Sequence, residues 1–114
     1  MELNEITQKI INAIKVRNFR EAENLCNQFL KSDSSNPLIN YNLAIALFSL
    51  GKLNEAQKQF EKVIELQPDY AEAYYNLGIT LQKLNKYNEA EINFRNAIKL
   101  KPDYSNAYYN LGII

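Results

Sequence analysis

Hydrophobic residues in the second half of the chain recur at intervals of three and four, the spacing of one face of an α-helix. In the first half of the segment Ala71–Tyr104 this face comprises Tyr74, Leu77, Gly78, Leu81 and Leu84. The second half repeats the spacing with Tyr87, Ala90, Phe94, Ala97, Ile98 and Leu100. Only Asn85 and Lys86 separate the two faces. The pattern therefore predicts two antiparallel helices joined by a short turn.

Local signals place the ends of these helices. Pro68 and Pro102 stop the preceding helices, since proline cannot continue a helix. Asp69 with Glu72 three residues later resembles a capping box at the start of a helix. Asn85 tolerates the left-handed backbone that ends helices, and Gly51 occupies the equivalent place one unit earlier.

The helix pair recurs after 34 residues, the separation of Pro68 and Pro102. Three triplets keep the same register: Asn42-Leu43-Ala44, Asn76-Leu77-Gly78 and Asn110-Leu111-Gly112. A unit of this length cannot bury its own apolar face, so neighbouring units must stack. We therefore predict an all-α fold, a right-handed α-solenoid of antiparallel helix hairpins.

A single domain is expected over residues 1–114. Its repeats are predicted at about 3–36, 37–70 and 71–104, followed by the first helix of a fourth at 105–114. Helices are expected at 3–16, 19–31, 37–50 and 53–66, the third of them started by Asn36 and Pro37. The first repeat is atypical because Ser34 stands where the later repeats have proline, as end repeats often are.

These residues resemble the tetratricopeptide repeat family. Its pattern is an aromatic residue, Leu-Gly, an apolar residue, then Ala, Phe and Pro. The third unit supplies Tyr74, Leu77, Gly78, Leu81, Ala90, Phe94 and Pro102. The second supplies Leu43, Ala44, Leu47, Ala56, Phe60 and Pro68, with Asn40 in place of the aromatic residue. The resemblance implies that Tyr74 and Tyr108 lie in the core, and that Gly78 and Ala90 mark the closest approach within a hairpin. Ala71 is expected on an exposed first turn.

The resemblance also implies a peptide-binding groove lined by the first helix of each hairpin. The residues expected in it are Leu38, Tyr41, Asn42, Ile45, Glu72, Tyr75, Asn76, Ile79, Lys83, Tyr109 and Asn110. Their spacing of three, four and seven keeps them on one helix face, opposite the core. Three columns result: Tyr41/Tyr75/Tyr109, Asn42/Asn76/Asn110 and Ile45/Ile79/Ile113.

The asparagine column resembles the ladder in the repeat arm of O-GlcNAc transferases. A side-chain amide offers both donor and acceptor, so it can bond a peptide backbone whatever side chains the peptide carries. The alternative interpretation is a solvated polar face. The tyrosine column either lines the groove or packs between hairpins, and the isoleucine column either receives apolar side chains or seals adjacent helices.

Composition removes several classes of function. Lys and Arg number 13, as do Asp and Glu, so no net charge attracts nucleic acid or a membrane. The chain has no histidine, which is the commonest metal ligand and general base, and we expect no catalytic residues, metal or cofactor. Cys26 is the only cysteine and aligns with Phe60 and Phe94, which predicts a buried apolar role. The acidic start Met1–Glu5 is neither a signal nor a transit peptide, which predicts a cytoplasmic protein.

The leading hypothesis is a non-enzymatic module that binds a protein or peptide partner. Receptors for the acidic tails of heat-shock chaperones need several basic groove residues, and Lys15 and Lys83 alone do not meet that need. A second hypothesis is the repeat arm of a larger enzyme, such as a glycosyltransferase or sulfotransferase, because the chain stops halfway through a hairpin. A third is self-stacking through the uncovered C-terminal repeat.

Overall fold

Residues 3–112 are described by a computed structural model, and they form seven α-helices without a strand. The helices are α1 (Leu3–Lys15), α2 (Phe19–Leu30), α3 (Pro37–Ser49), α4 (Leu53–Leu66), α5 (Ala71–Lys83), α6 (Tyr87–Leu100) and α7 (Ser105–Gly112). Where the sequence predicts helix ends in the first two repeats, the observed ends agree to within one residue. Three hairpins and the first helix of a fourth stack in chain order, since each helix packs on the next.

The turn within each hairpin uses the left-handed backbone. Gly51 has φ 79° and Asn85 has φ 63°, which confirms both sequence predictions. Arg17, one repeat before Gly51, has φ 62° and was not predicted, because arginine carries no preference for this conformation. The stack therefore imposes the same turn on all three hairpins, whichever residue stands there.

The starts of α3 and α5 differ from each other. The Asn36 side chain accepts a hydrogen bond of 3.0 Å from the Ile39 amide, with Pro37 in the first turn, as predicted. The prediction of a capping box at Asp69 is wrong. Tyr70 occupies the capping position and no side chain caps α5, because the helix begins one residue too late for Asp69 to reach its amides.

The core follows the small and aromatic positions of the repeat. Cys26, Phe60 and Phe94 are fully buried at equivalent places, which confirms the prediction for the cysteine. Burial, together with the nearby charge of Glu23, raises the pKa of the Cys26 thiol to about 12. A methyl group on Gly78 would lie 2.6 Å from the Phe94 ring, so this glycine permits the closest helix approach of the third hairpin.

Two expectations about burial are wrong. Ala71 is only 7% exposed, because α5 packs against both α4 and α6 and its first turn is covered. Tyr108 is 50% exposed, and Tyr74 is half-buried and lies outside the main core cluster. Their hydroxyls donate to Pro102 O and Pro68 O at 3.1 and 3.0 Å, which holds both rings beside the loop.

Asn40 performs the same task in the second repeat. Its amide donates to Ser34 O at 3.0 Å, and Ser34 aligns with Pro68 and Pro102. It also donates to Asn36 O at 2.8 Å and accepts from the Gln59 side chain, so this fully buried amide is satisfied. Asn40 therefore replaces the aromatic residue of the repeat pattern but still makes the hydrogen bond that joins α3 to the preceding loop.

Within residues 3–112, none of the helices combines the length and the apolar character that crossing a membrane requires.

Candidate functional site

Tyrosine rings on the first helices of the second and third hairpins pack against aromatic rings of the second helices and of the loops. Tyr41 on α3 stacks on Tyr70 with ring centroids 4.8 Å apart, and its edge meets Phe60 at 6.0 Å. Tyr75 on α5 repeats the arrangement, with Tyr104 at 4.9 Å and Phe94 at 5.9 Å. The same geometry one repeat later shows that the 34-residue period extends to the side chains.

Asparagine side chains connect these tyrosines across the repeats. The Asn76 amide donates to the hydroxyl of Tyr41 at 2.8 Å, and the Asn110 amide donates to that of Tyr75 at 3.0 Å. Tyr41, Asn76, Tyr75 and Asn110 form what we call the tyrosine–asparagine row. It links α3 to α5 and α5 to α7, so these residues share one face of the stack.

The amide nitrogens of Asn76 and Asn110 have no proton left for a ligand. Asn76 Nδ2 also donates to Glu72 O at 2.9 Å, and Asn110 Nδ2 donates to Asn106 O at 2.8 Å. A side-chain amide has two N–H donors, and both are used in each residue. Among the described residues nothing donates to Asn76 Oδ1, and no buried side-chain oxygen lacks a partner, so this oxygen reaches solvent. For Asn76 and Asn110 the expectation of both a donor and an acceptor is therefore corrected to an acceptor only.

Asn42 does not continue the row. It is only 9% exposed, and its amide donates to Leu38 O at 3.0 Å. Thr7 stands one repeat before Tyr41, so no tyrosine hydroxyl is available to pair with Asn42. The structure thus brings together two of the three asparagines of the predicted column with tyrosine partners.

The remaining predicted residues surround the row. Ile45 and Ile79 are partly buried and pack against the core, so the isoleucine column contributes to sealing adjacent helices. Leu38 is 43% exposed and Tyr109 71% exposed. Ile113 lies outside the described residues.

Charges on this face are few. Glu72 and Lys83 are both exposed, and Lys83 Nζ lies 5.8 Å from the centre of the Phe48 ring. Burial raises the pKa of Tyr41, with further contributions from Tyr70, Tyr104 and Glu72, and the hydrogen bond from Asn76 opposes them. Burial and Glu72 also raise the pKa of Tyr70. The hydroxyls of Tyr41 and Tyr70 are therefore neutral at physiological pH.

Tyr70 and Tyr104 were missed as members of this site. They follow Pro68-Asp69 and Pro102-Asp103 and recur with the repeat, which could have marked them. Burial, Glu72 and Tyr75 raise the pKa of Tyr104 to about 12. Sequence patterns assign both tyrosines to the loops, and only the tertiary structure shows that their rings pack against Tyr41 and Tyr75.

Models of one repeat family match most of the chain. Models described as tetratricopeptide repeat match residues 7–56 and 71–104, and one described as TPR repeat matches residues 45–85. No curated protein sequence matches this chain.

Solved structures with the same fold include peptide-bound ones. The second TPR domain of human RPAP3, in complex with the HSP70 peptide SGPTIEEVD, is 25% identical with a TM-score of 0.88, over 94% of this chain and 89% of that one. The Arabidopsis OM64 TPR domain is 24% identical with a TM-score of 0.92, over 96% and 90%. A Thermobaculum terrenum O-GlcNAc transferase mutant is 21% identical with a TM-score of 0.91, over 96% of this chain but 21% of the enzyme.

Proposed function

We propose that this chain, which belongs to the tetratricopeptide repeat family, is a non-enzymatic module that binds an extended peptide of a protein partner in the groove formed by α3, α5 and α7. Solenoids of stacked repeats expose extended concave surfaces suited to this task. Peptide binding by the RPAP3 domain supports an interaction role in general. The cytoplasm is the compartment that the sequence predicts.

The observation that carries the proposal is the tyrosine–asparagine row. Asn76 and Asn110 are fixed by bonds to their own helix and to a tyrosine of the preceding repeat. A side chain already held in place loses little conformational entropy when it binds, which favours affinity. The carbonyl oxygen of Asn76 is left as an acceptor for a backbone N–H, and Asn110, held in the same way, repeats the arrangement.

The groove does not suit an acidic chaperone tail. An acidic peptide such as SGPTIEEVD requires donors and positive charge. Here the N–H groups of Asn76 and Asn110 are used internally, and Glu72 lies among the groove residues. We therefore infer a ligand recognised through its backbone rather than through carboxylates.

The experiment is selection of ligands from an immobilised peptide library, followed by titration of the selected peptides against Asn76→Ala combined with Asn110→Ala. Each lost hydrogen bond contributes on the order of 1 kcal/mol, so the double variant should bind about ten- to thirtyfold more weakly. The loss should be similar for peptides of unrelated sequence, because the lost bonds reach the backbone.

Asn88→Ala is the matched control, since Asn88 is exposed on α6 and makes no side-chain hydrogen bond among the described residues. It should leave every affinity unchanged. Tyr109→Ala and Leu38→Ala should instead change which peptides are preferred. Unaltered affinities in the double asparagine variant would refute the proposed contact.

A second candidate function is the repeat arm of a larger glycosyltransferase or sulfotransferase-like enzyme. The fold shared with the O-GlcNAc transferase, of which this chain spans about a fifth, favours it. Reading the coding sequence beyond Ile114 tests it. A catalytic domain there would make peptide binding a substrate-recruiting step.

A further inference from the structure

The tyrosine–asparagine row offers a ligand two different groups per repeat. Each asparagine presents its side-chain oxygen as an acceptor, because its N–H groups are used. Each tyrosine hydroxyl accepts from the asparagine and keeps its own proton, for which the described residues provide no acceptor. The bond of 2.8 Å from Asn76 Nδ2 to the Tyr41 hydroxyl oxygen holds the two side chains side by side. Together they offer one donor, the Tyr41 O–H, and one acceptor, Asn76 Oδ1, which match the C=O and N–H of a peptide backbone.

These groups recur once per repeat in the same orientation. The distances at Tyr41 and Asn76 differ from those at Tyr75 and Asn110 by 0.2 Å or less. The hydrogen bond from Asn76 to Tyr41 shows that α3 and α5 are in direct side-chain contact, and helices in contact lie about 8–10 Å apart. A ligand that uses both pairs must therefore present equivalent backbone groups about 8–10 Å apart and on the same side.

This requirement selects the conformation of the ligand. Three residues of a β-strand cover about 10 Å, but the strand alternates with a period of two, so residues i and i+3 face opposite sides. A polyproline II helix rises about 3.1 Å per residue and completes a turn in three residues. Residues i and i+3 then face the same side at about 9.3 Å, which fits the row.

The aromatic walls fit the same conformation. Tyr41 with Tyr70 and Tyr75 with Tyr104 form two closely packed ring pairs along the row, with interplanar angles of 23° and 33°. Polyproline II segments dock in grooves lined by aromatic side chains, where their preformed backbone keeps the ordering cost low. The two tyrosine pairs are spaced by the same repeat as the hydrogen-bonding groups.

We propose that the ligand of the tyrosine–asparagine row is a peptide segment in the polyproline II conformation with a backbone N–H at every third residue and proline admitted between. This rests on the proposed peptide-binding function and specifies its ligand class. The third residues cannot be proline, because proline has no N–H to donate to the asparagine oxygens.

Three capped twelve-residue peptides test the proposal by isothermal titration calorimetry. The first is four repeats of Ala-Pro-Pro, the second is oligoproline, and the third is four repeats of Ala-Gly-Ser. The Ala-Pro-Pro peptide should bind about tenfold or more tightly than oligoproline, which lacks N–H groups. It should also bind more tightly than the flexible Ala-Gly-Ser peptide, which must be ordered on binding.

Variants identify the groups responsible. Asn76→Ala with Asn110→Ala should abolish the preference for Ala-Pro-Pro over oligoproline, and Tyr75→Phe should weaken Ala-Pro-Pro several-fold. Asn88→Ala is the control and should retain the preference.

Equal affinities for Ala-Pro-Pro and oligoproline, or tightest binding of Ala-Gly-Ser, would overturn the inference. Absence of binding by all three peptides at millimolar concentrations would overturn it too. The peptide library separates this failure from that of the proposed function. If the library yields ligands without proline at a three-residue period, the peptide-binding function stands and the polyproline II ligand class is refuted. If the library yields no ligand, both the function and the ligand class are refuted.

Discussion

At the scale of the residue, Tyr41 makes three different contacts with its neighbours. Its ring lies between Phe60 and Tyr70, and its hydroxyl accepts from Asn76. Burial of the phenol raises its pKa, as it does for Tyr70 and Tyr104. The folded state therefore favours the neutral form of these hydroxyls, and ionisation of the tyrosines opposes folding.

This pKa shift predicts a loss of stability at high pH. A group whose pKa is raised on folding stabilises fully below its unfolded pKa, about 10 for tyrosine, and the stabilisation falls as pH rises above that value. The free energy of unfolding from urea titration should thus decline between about pH 10, the ordinary tyrosine pKa, and about pH 12, the raised pKa of Tyr104. Tyr41→Phe should flatten the decline, because the buried hydroxyl no longer ionises.

Tyr109→Phe provides the control for this measurement, since Tyr109 is 71% exposed. Its pH profile should follow that of the unmodified protein. A Tyr41→Phe profile as steep as that of the unmodified protein would show that other groups cause the decline.

At the scale of the element, the α5–α6 hairpin depends on contact between Gly78 and Phe94. We predict that Gly78→Ala destabilises the protein, because the added methyl group would lie 2.6 Å from a fully buried ring. Overpacking of this kind costs about 1–3 kcal/mol. Thermal or urea unfolding measures the effect.

Gly112→Ala is the matched control, one repeat later in α7. A methyl group there meets nothing within 4 Å, so the variant should be neutral or slightly more stable through its higher helix propensity. Equal stability of the two variants would mean that the Phe94 ring moves aside at no cost.

At the scale of the whole molecule, the connections between repeats are unequal. The tyrosine–asparagine row joins the second repeat to the third and the third to α7. Thr7 replaces the tyrosine in the first repeat, so Asn42 has no such bond to α1. The stability of a repeat protein is approximately the sum of its repeats and their interfaces.

We therefore predict that amides of α1 and α2 exchange with deuterium sooner than those of α3 to α6. Mass spectrometry of peptic fragments measures the rates, with the α5–α6 hairpin as the internal reference. Asn76→Ala should accelerate exchange in α3 and α4 relative to the same helices of the unmodified protein. Uniform rates across the three hairpins would show that the row does not couple the repeats.

The sequence alone determined the helices, the hairpins and the repeat. These depend on local features such as apolar periodicity, Asn36 and Pro37 at a helix start, and Gly51 and Asn85 at turns, so they can be read from neighbouring positions. The same periodicity predicted which helix face would carry Tyr75 and Asn76.

Only the tertiary structure decided how the side chains on that face use their hydrogen bonds. The pairing of Asn76 with Tyr41 joins residues 35 positions apart, and it leaves the amide as an acceptor. Burial of Asn42 and Ala71, exposure of Tyr108 and stacking of Tyr70 on Tyr41 likewise depend on neighbouring helices. A repeat fixes the position of each side chain, but its partners come from the adjacent repeat, and these contacts exist only once the helices have stacked.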